Sequence, residues 1–281
     1  MKSIDHDGDR VIAELCPLCG QPCGEPFVRN ECSWVRCGCG LIYKTTEPAA
    51  AGARSGYGEA YFETYRRRRR HRIAKARTQI LDALEHGPAG PLLDVGCSLG
   101  YALEAARSLG LDACGVDLSE HAVAACRALG LSARVGSLEA LPFADRSFSI
   151  VVMKHVLEHT PAPRRALAEV SRVLRPHGVV FMAVPNADYF KAVRSPQTSR
   201  FFRGEGGSAH YVYYTVATLG RLLEEEQLRV AAVHPCLVHR HAGGLRWARD
   251  VATLRARKVA RAIAQQAGLR KEFWMVAVRG R

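Results

Sequence analysis

The sequence has no apolar run of the roughly 18–20 residues needed to span a bilayer. Its first ten residues, MKSIDHDGDR, lack the apolar stretch of a secretory signal, so a soluble, cytoplasmic protein is expected. Acids are scarce: 27 Asp and Glu face 40 Lys and Arg, a net charge of +13. That surplus favours acidic partners. Aromatic residues make up only 7% and are not interleaved with basic ones as base stacking requires. Nucleic acid is therefore the weaker expectation and a small, anionic molecule the stronger one. A hydrophobic content of 48% excludes wholesale disorder.

Cysteine is plentiful and unevenly placed. Six of the ten lie between Cys16 and Cys39. Crowding at one end of a chain with no export signal reads as a metal site in a reducing compartment. CPLCG at 16–20 and RCGCG at 36–40 resemble the two knuckles of a zinc ribbon. Cys16, Cys19, Cys37 and Cys39 are the leading ligands for a structural zinc, with Cys23 or Cys32 as substitutes because the second pair is compressed to Cys-x-Cys. So short a segment cannot bury enough apolar surface to fold unaided, which favours a bound metal.

Three zones follow. Residues 1–48 form the ribbon-like module, 49–90 a small-residue linker and a basic helix stopped near Gly87–Pro88, and 91–281 a larger domain. From Pro91, short apolar strands alternate with helical patterns, the mark of an α/β, Rossmann-like fold with a mostly parallel sheet. Seven strands are expected, at Leu92–Val95, Ala113–Val116, Ser132–Val135, Phe148–Met153, Val179–Val184, Val230–Val233 and Phe273–Val278. Helices on both faces are expected near 100–109, 120–129, 163–174, 216–226 and 246–266. The last strand follows a long helix and is expected to run antiparallel.

LLDVGCSLGYALEAA is the most informative stretch. A buried strand ends at Val95, and Gly96, Ser98 and Gly100 turn the chain tightly into a helix. Small residues let a ligand approach the backbone, and the helix start offers unpaired N–H groups. The next strand ends in Asp117, an acid placed to accept hydrogen bonds from ribose hydroxyls. The alternative for Asp117 is a plain helix cap.

LLDVGCSLGYAL, GVDLSEHAV and GSLEALPFADRSFSIVVMKHVLEHTPAPRRALAEVSRVLRPHGVVFMAVPN together resemble the class I S-adenosylmethionine-dependent methyltransferases, nearest to the group acting on small molecules and lipids. The resemblance covers about residues 90–280. It implies that Asp94, Gly96, Cys97, Ser98 and Gly100 surround the amino-acid part of S-adenosylmethionine. Asp117 would bind the ribose, with Leu118 beside the adenine and Ser137 and Leu138 at its edge. Lys154 and His155 would face the sulfonium and the acceptor. Ser98 and Ser137 depart from the family's usual Gly and Asp. Members of this broad group often carry an N-terminal ribbon followed by CGL-aromatic, as CGLIY does here.

Methyl transfer from a sulfonium needs alignment and exclusion of water, and a base only where the acceptor must lose a proton. His155, His159 and His210 are the candidates. On a helix His155 and His159 would share a face, a two-ligand metal spacing without an evident third ligand. His210 precedes the helix TVATLGRLLEEE in a Gly/Ser-rich loop, with Tyr211, Tyr213 and Tyr214 expected either to line a pocket or to pack the loop on the sheet. The reading is methylation, with oxygen preferred, of a small sugar, lipid-linked or secondary-metabolite acceptor. An RNA methyltransferase and a non-catalytic partner of the same fold are the alternatives. The run Arg66–Arg70 and the basic segment Arg240–Arg281 read as solvated faces or anion contacts.

Overall fold

The larger sheet has seven strands, and its residues alternate between two cores. In the computed structural model, the described residues are 10–24, 26–29, 32–47, 59–189, 196, 202, 210–235 and 272–281. Strands β5 (Leu92–Val95), β6 (Ala113–Asp117), β7 (Ser132–Val135), β8 (Phe148–Lys154), β9 (Leu174–Pro185), β11 (Leu228–Pro235) and β12 (Glu272–Arg279) lie in the order β11-β12-β9-β8-β5-β6-β7. β12 runs antiparallel to both its neighbours, as the sequence predicts, and the pairs from β9 to β7 are parallel. Leu92, Ile150, Val152, Val179, Phe181 and Trp274 face one core, while Leu93, Val151, Met153, Val180, Met182 and Met275 face the other. Burial on both faces explains why these strands read as continuous apolar runs.

Helices supply the two covers. α2 (Arg69–Leu84) and α3 (Tyr101–Ser108) close one face through Ala76, Ile80, Ala83, Ala105 and Ala106. α5 (Pro163–Val173) and α6 (Val216–Glu225) close the other through Leu167, Val170, Leu219 and Leu222. α4 (Glu120–Ala128) is capped by Ser119, whose hydroxyl accepts from the Ala122 N–H. A Thr215–Thr218 capping box starts α6.

Three expectations change. The single basic helix is two, α1 (Glu59–Arg66) and α2, broken inside the arginine run. Stacked like charges repel at helical spacing, and α2 starts with no acid in its first turn to offset its dipole. The strand expected at 179–184 starts at Leu174, directly after α5. The helix expected at 246–266 lies outside the described residues.

The N-terminal module forms a second sheet from β1 (Arg10–Val11), β2 (Val28–Arg29), β3 (Ser33–Arg36) and β4 (Ile42–Glu47). Its central strand β4, between β3 and β1, also pairs antiparallel with β10 (Val212–Tyr213), the segment expected to be a loop. Tyr213 and Tyr214 are buried and pack; they do not line an open pocket. Cys16, Leu18, Val35, Leu41 and Tyr43 belong to the same core as Val212, Tyr214 and Leu219, so one hydrophobic cluster spans module and domain.

The glycine turn is sterically specified. Gly100 has φ +76°, and a Cβ there would lie 2.7 Å from Leu131 Cδ1 and 2.9 Å from Cys126 Sγ. Gly110 has a similar φ of +72° with open space around it. Gly110→Ala is expected to cost about 1–2 kcal/mol from backbone strain alone. Gly100→Ala should cost about 1–3 kcal/mol more, from the clash. Denaturant unfolding of both variants measures the difference.

Candidate active site

Asp117 closes the turn that leaves β5. Its Oδ2 accepts from the Ser98 backbone N–H at 2.8 Å and its Oδ1 from the Ser119 N–H at 2.9 Å. One carboxylate therefore ties the glycine turn to the start of α4. Gly96 has φ +70° and is exposed, and a Cβ on it would strike Val156 Cγ2 at 2.5 Å. The turn and the segment after β8 thus meet at the C-terminal edge of the parallel strands, where α/β sheets bind ligands. Ser98, with φ +48°, keeps a buried Oγ that has no hydrogen-bond partner among the described residues, as does the Tyr101 hydroxyl at the first turn of α3.

Asp94 is buried at the end of β5. Burial, then the nearby Asp117 charge, pushes its pKa up to about 8 against the pull of Lys154. Cys97 lies beneath the turn, its side chain against Gly115. Leu118 is 73% exposed at the mouth, whereas Leu138 is buried in the core beside Leu141. Ser137 follows the turn at Gly136, whose N–H reaches the Asp117 carbonyl, and its hydroxyl bonds Glu139. The structure thus brings Asp94, Gly96, Ser98, Gly100, Asp117, Ser137 and Lys154 to one edge of the sheet and sets Leu138 below it.

Helix α1 covers this edge. Phe62 is buried against Leu99, Tyr101 and Ala122. The Arg72 guanidinium sits 3.6 Å from the centre of the Tyr65 ring, and Arg69 pairs with Glu104. The sequence identified this helix only by charge; its covering role comes from two aromatic residues ahead of the arginines.

His155 and His159 do not share a helical face. Residues Leu157–His159 make a single 3-10 turn, and His155 precedes it with φ +52°. His155 Nδ1 lies 3.1 Å from Glu158 Oε1 and Nε2 2.8 Å from Glu272 Oε2 on β12. Burial opposes its charge, but the two carboxylates prevail and raise its pKa to about 9. A protonated ring has no lone pair with which to accept another proton. His210 is the opposite case: burial lowers its pKa to about 4, so it is neutral at pH 7. Its Nδ1 is 3.1 Å from the Tyr213 hydroxyl, and its ring meets His159 edge to face at 4.6 Å. Glu158, fully buried between these histidines, is a residue the sequence reading passed over. Nothing in the local pattern marks a carboxylate that faces inward.

At the module's tip, Cys16, Cys19, Cys37 and Cys39 bring their sulfurs within 4.8 Å of one another. The Cys16–Cys39 pair is 3.7 Å apart and the Cys19–Cys37 pair 3.4 Å. Four thiolates around a tetrahedral zinc stand about 3.8 Å apart, from zinc–sulfur bonds of about 2.3 Å. Backbone hydrogen bonding from Gln21 leads in lowering the Cys19 pKa to about 7, while burial raises that of Cys16. Cys23 accepts the Tyr43 hydroxyl at 3.1 Å, and Cys32 is buried beside Trp34; both lie outside the cluster.

Residues 93–182 match the family model described as a methyltransferase domain. The chain is 32% identical over 123 residues to the ubiquinone biosynthesis O-methyltransferase of Methylococcus capsulatus, covering 41% of this chain and 52% of that one. It is 32% identical over 129 residues to the demethylmenaquinone methyltransferase of Renibacterium salmoninarum, covering 45% and 54%. It spans about half the length of these curated relatives. The crystal structure of an S-adenosylmethionine-dependent methyltransferase from Archaeoglobus fulgidus matches with a TM-score of 0.56 at 17% identity, covering 79% of this chain and 100% of that one. This last likeness shows the shared Rossmann-like fold. Residues 93–182 are thus similar to a methyltransferase domain, set within this Rossmann-like fold.

The Asp94 shift has a measurable sign. A carboxyl whose pKa rises on folding stabilises the fold in its protonated form, and that contribution is lost as pH rises from about 4 to about 8. Without added ligand, Asp94→Asn is expected to gain on the wild type in melting temperature across that range, with a constant gap above it. A gap independent of pH would refute the assignment.

Proposed function

We propose that this protein transfers the methyl group of S-adenosylmethionine to a small-molecule acceptor, at an oxygen atom by preference. The observation that carries the reading is the Asp117 carboxylate, which closes the glycine turn at 2.8 Å and keeps lone pairs for two ribose hydroxyls. The cofactor fits the residues present: Ser98 and Tyr101 offer buried hydroxyls without partners, Gly96 opens the backbone, and Leu118 exposes an apolar side chain beside Asp117. When bound, S-adenosylmethionine supplies an electrophilic methyl group.

The chain's own residues orient and enclose. Asp94, Gly96, Cys97, Ser98 and Gly100 hold the amino-acid end. Asp117, Leu118, Ser137 and Leu138 shape the nucleoside end, Leu138 from the core beneath it. Lys154 lies close enough to Asp94 to lower its pKa, and α1 shields the turn from water through Phe62. His210 and His155 belong to the acceptor side. His210, a neutral ring, would stand on the acceptor side, and His155 would hold Glu158 in place. The quinone-related names of the two curated relatives support a small-molecule acceptor, the O-methyltransferase among them supports oxygen, and the net charge of +13 suits an anionic acceptor.

Cys16, Cys19, Cys37 and Cys39 would hold one structural zinc, fixing the ribbon whose strand β4 pairs with β10. The purified protein is expected to carry one zinc per chain, released on thiol modification. Cys19→Ser and Cys37→Ser should lose it and Cys23→Ser should retain it, as metal analysis would establish.

Calorimetric titration with S-adenosylmethionine and S-adenosylhomocysteine tests the main reading. Micromolar binding of both is expected, with a loss of at least about tenfold in Asp117→Ala, as removal of hydrogen bonds made by a charged acceptor predicts. Well-folded protein that binds neither would overturn the enzymatic reading in favour of a non-catalytic role.

A further inference from the structure

We infer that Glu158, His159 and His210 form a divalent-cation site at the acceptor side of the domain. The ligand atoms of the three residues lie within 4.8 Å of one another. A transition dication bonded at about 2.1 Å to each donor spans at most about 4.2 Å between opposite ligands, so small side-chain rotations close the site. These residues come from two separate segments, the 3-10 turn after β8 and the approach to β10. The fold brings them together through the Tyr211 N–H, which donates to the Glu158 carbonyl at 2.7 Å.

The second observation is the Glu158 side chain itself. It is 0% exposed, and its Oε2 has no hydrogen-bond partner among the described residues. A buried carboxylate oxygen without a partner is costly, and coordination to a cation is one of the few arrangements that offset it. Its other oxygen is already held: Oε1 meets His155 Nδ1 at 3.1 Å, and His155 is fixed in turn by Glu272 at 2.8 Å. That chain of contacts orients Oε2, as outer partners orient metal ligands. On the other side Tyr213 holds His210 Nδ1 at 3.1 Å, which leaves Nε2 as the donor to the cation.

One carboxylate oxygen and two imidazole nitrogens suit the borderline dications Mn²⁺, Fe²⁺, Co²⁺ and Zn²⁺. Three protein ligands leave positions for an outside ligand. On the methyltransferase reading above, these would take oxygen atoms of the acceptor, since the segment bearing Glu158 starts at Val156, against Gly96 of the cofactor turn.

The experiment titrates Mn²⁺ into the full chain with its cysteine cluster zinc-loaded. Free Mn²⁺ is followed by electron paramagnetic resonance, and Co²⁺ is added in parallel. One Mn²⁺ per chain is expected. Co²⁺ should show ligand-field bands without the thiolate charge-transfer absorption that the cysteine cluster would give. Glu158→Gln and His210→Ala should each weaken Mn²⁺ binding by more than about tenfold. Circular dichroism and the melting temperature, measured on each variant, report that the fold is intact. Absence of Mn²⁺ and Co²⁺ binding by folded wild type, or affinity unchanged in either variant, would overturn the proposal. Cofactor binding is measured separately, so its failure would sink the enzymatic reading and leave the cation site standing.

Discussion

The arrangement around Glu158 constrains more of this molecule than any other single group. A fully buried carboxylate opposes folding unless its neighbours compensate; here one oxygen is paired, and the backbone around it is held by several distant segments. Its Oε1 faces His155, which reaches β12 through Glu272. Its backbone carbonyl receives the Tyr211 N–H, while the Tyr211 carbonyl receives the Lys44 N–H of the N-terminal module. The Tyr214 hydroxyl bonds the Leu157 carbonyl. The turn after β8, the antiparallel strand β12 and the N-terminal sheet are thereby positioned against one another. Burial works against its charge, yet the His155 hydrogen bond and the surrounding imidazoles keep the Glu158 pKa below the ordinary carboxylate range.

The same junction explains why the N-terminal module is integral to the domain. β4 borrows β10 as its outer partner, and a shared core runs beneath both. Arg164 on α5 reaches the carbonyls of Pro17 and Leu18 beside the cysteine cluster and also pairs with Glu225 of α6. A small sheet with few apolar residues gains stability from the larger core as well as from any metal it holds. The Lys44 ammonium, buried over the Trp34 and Tyr211 rings and paired with Glu47 at 3.2 Å, shows how closely the two parts fit.

Two acids at the sheet edge are tuned in different ways. Asp94 is desolvated and driven toward its neutral form, while Asp117 is held by two backbone N–H groups. Helix α1 then shields this edge by aromatic contact; Arg67–Arg70 after it are exposed, and Arg72 folds back onto the Tyr65 ring.

The seven strands were legible from apolar runs, because strands covered on both faces carry an uninterrupted hydrophobic signal. The glycine turn, Asp117 and the four clustered cysteines were legible because their chemistry depends on local spacing, which the chain fixes before it folds. The break between α1 and α2 was not, since helical pattern says little about where stacked charges rupture a helix. Strand β10 was not legible either: two residues carry no periodicity, and their partner lies about 170 positions away. Glu158 stayed hidden for the same reason. His155 and His159 sit in a motif that reads as helical, but a 3-10 turn sends their rings in different directions, one to β12 and one to His210. Local spacing determined the glycine turn and the cysteine cluster. Tertiary structure alone decided the cluster of Glu158, His155, His159 and His210, because its groups come from distant segments that meet only when the N-terminal sheet, the turn after β8 and the final strand pack together.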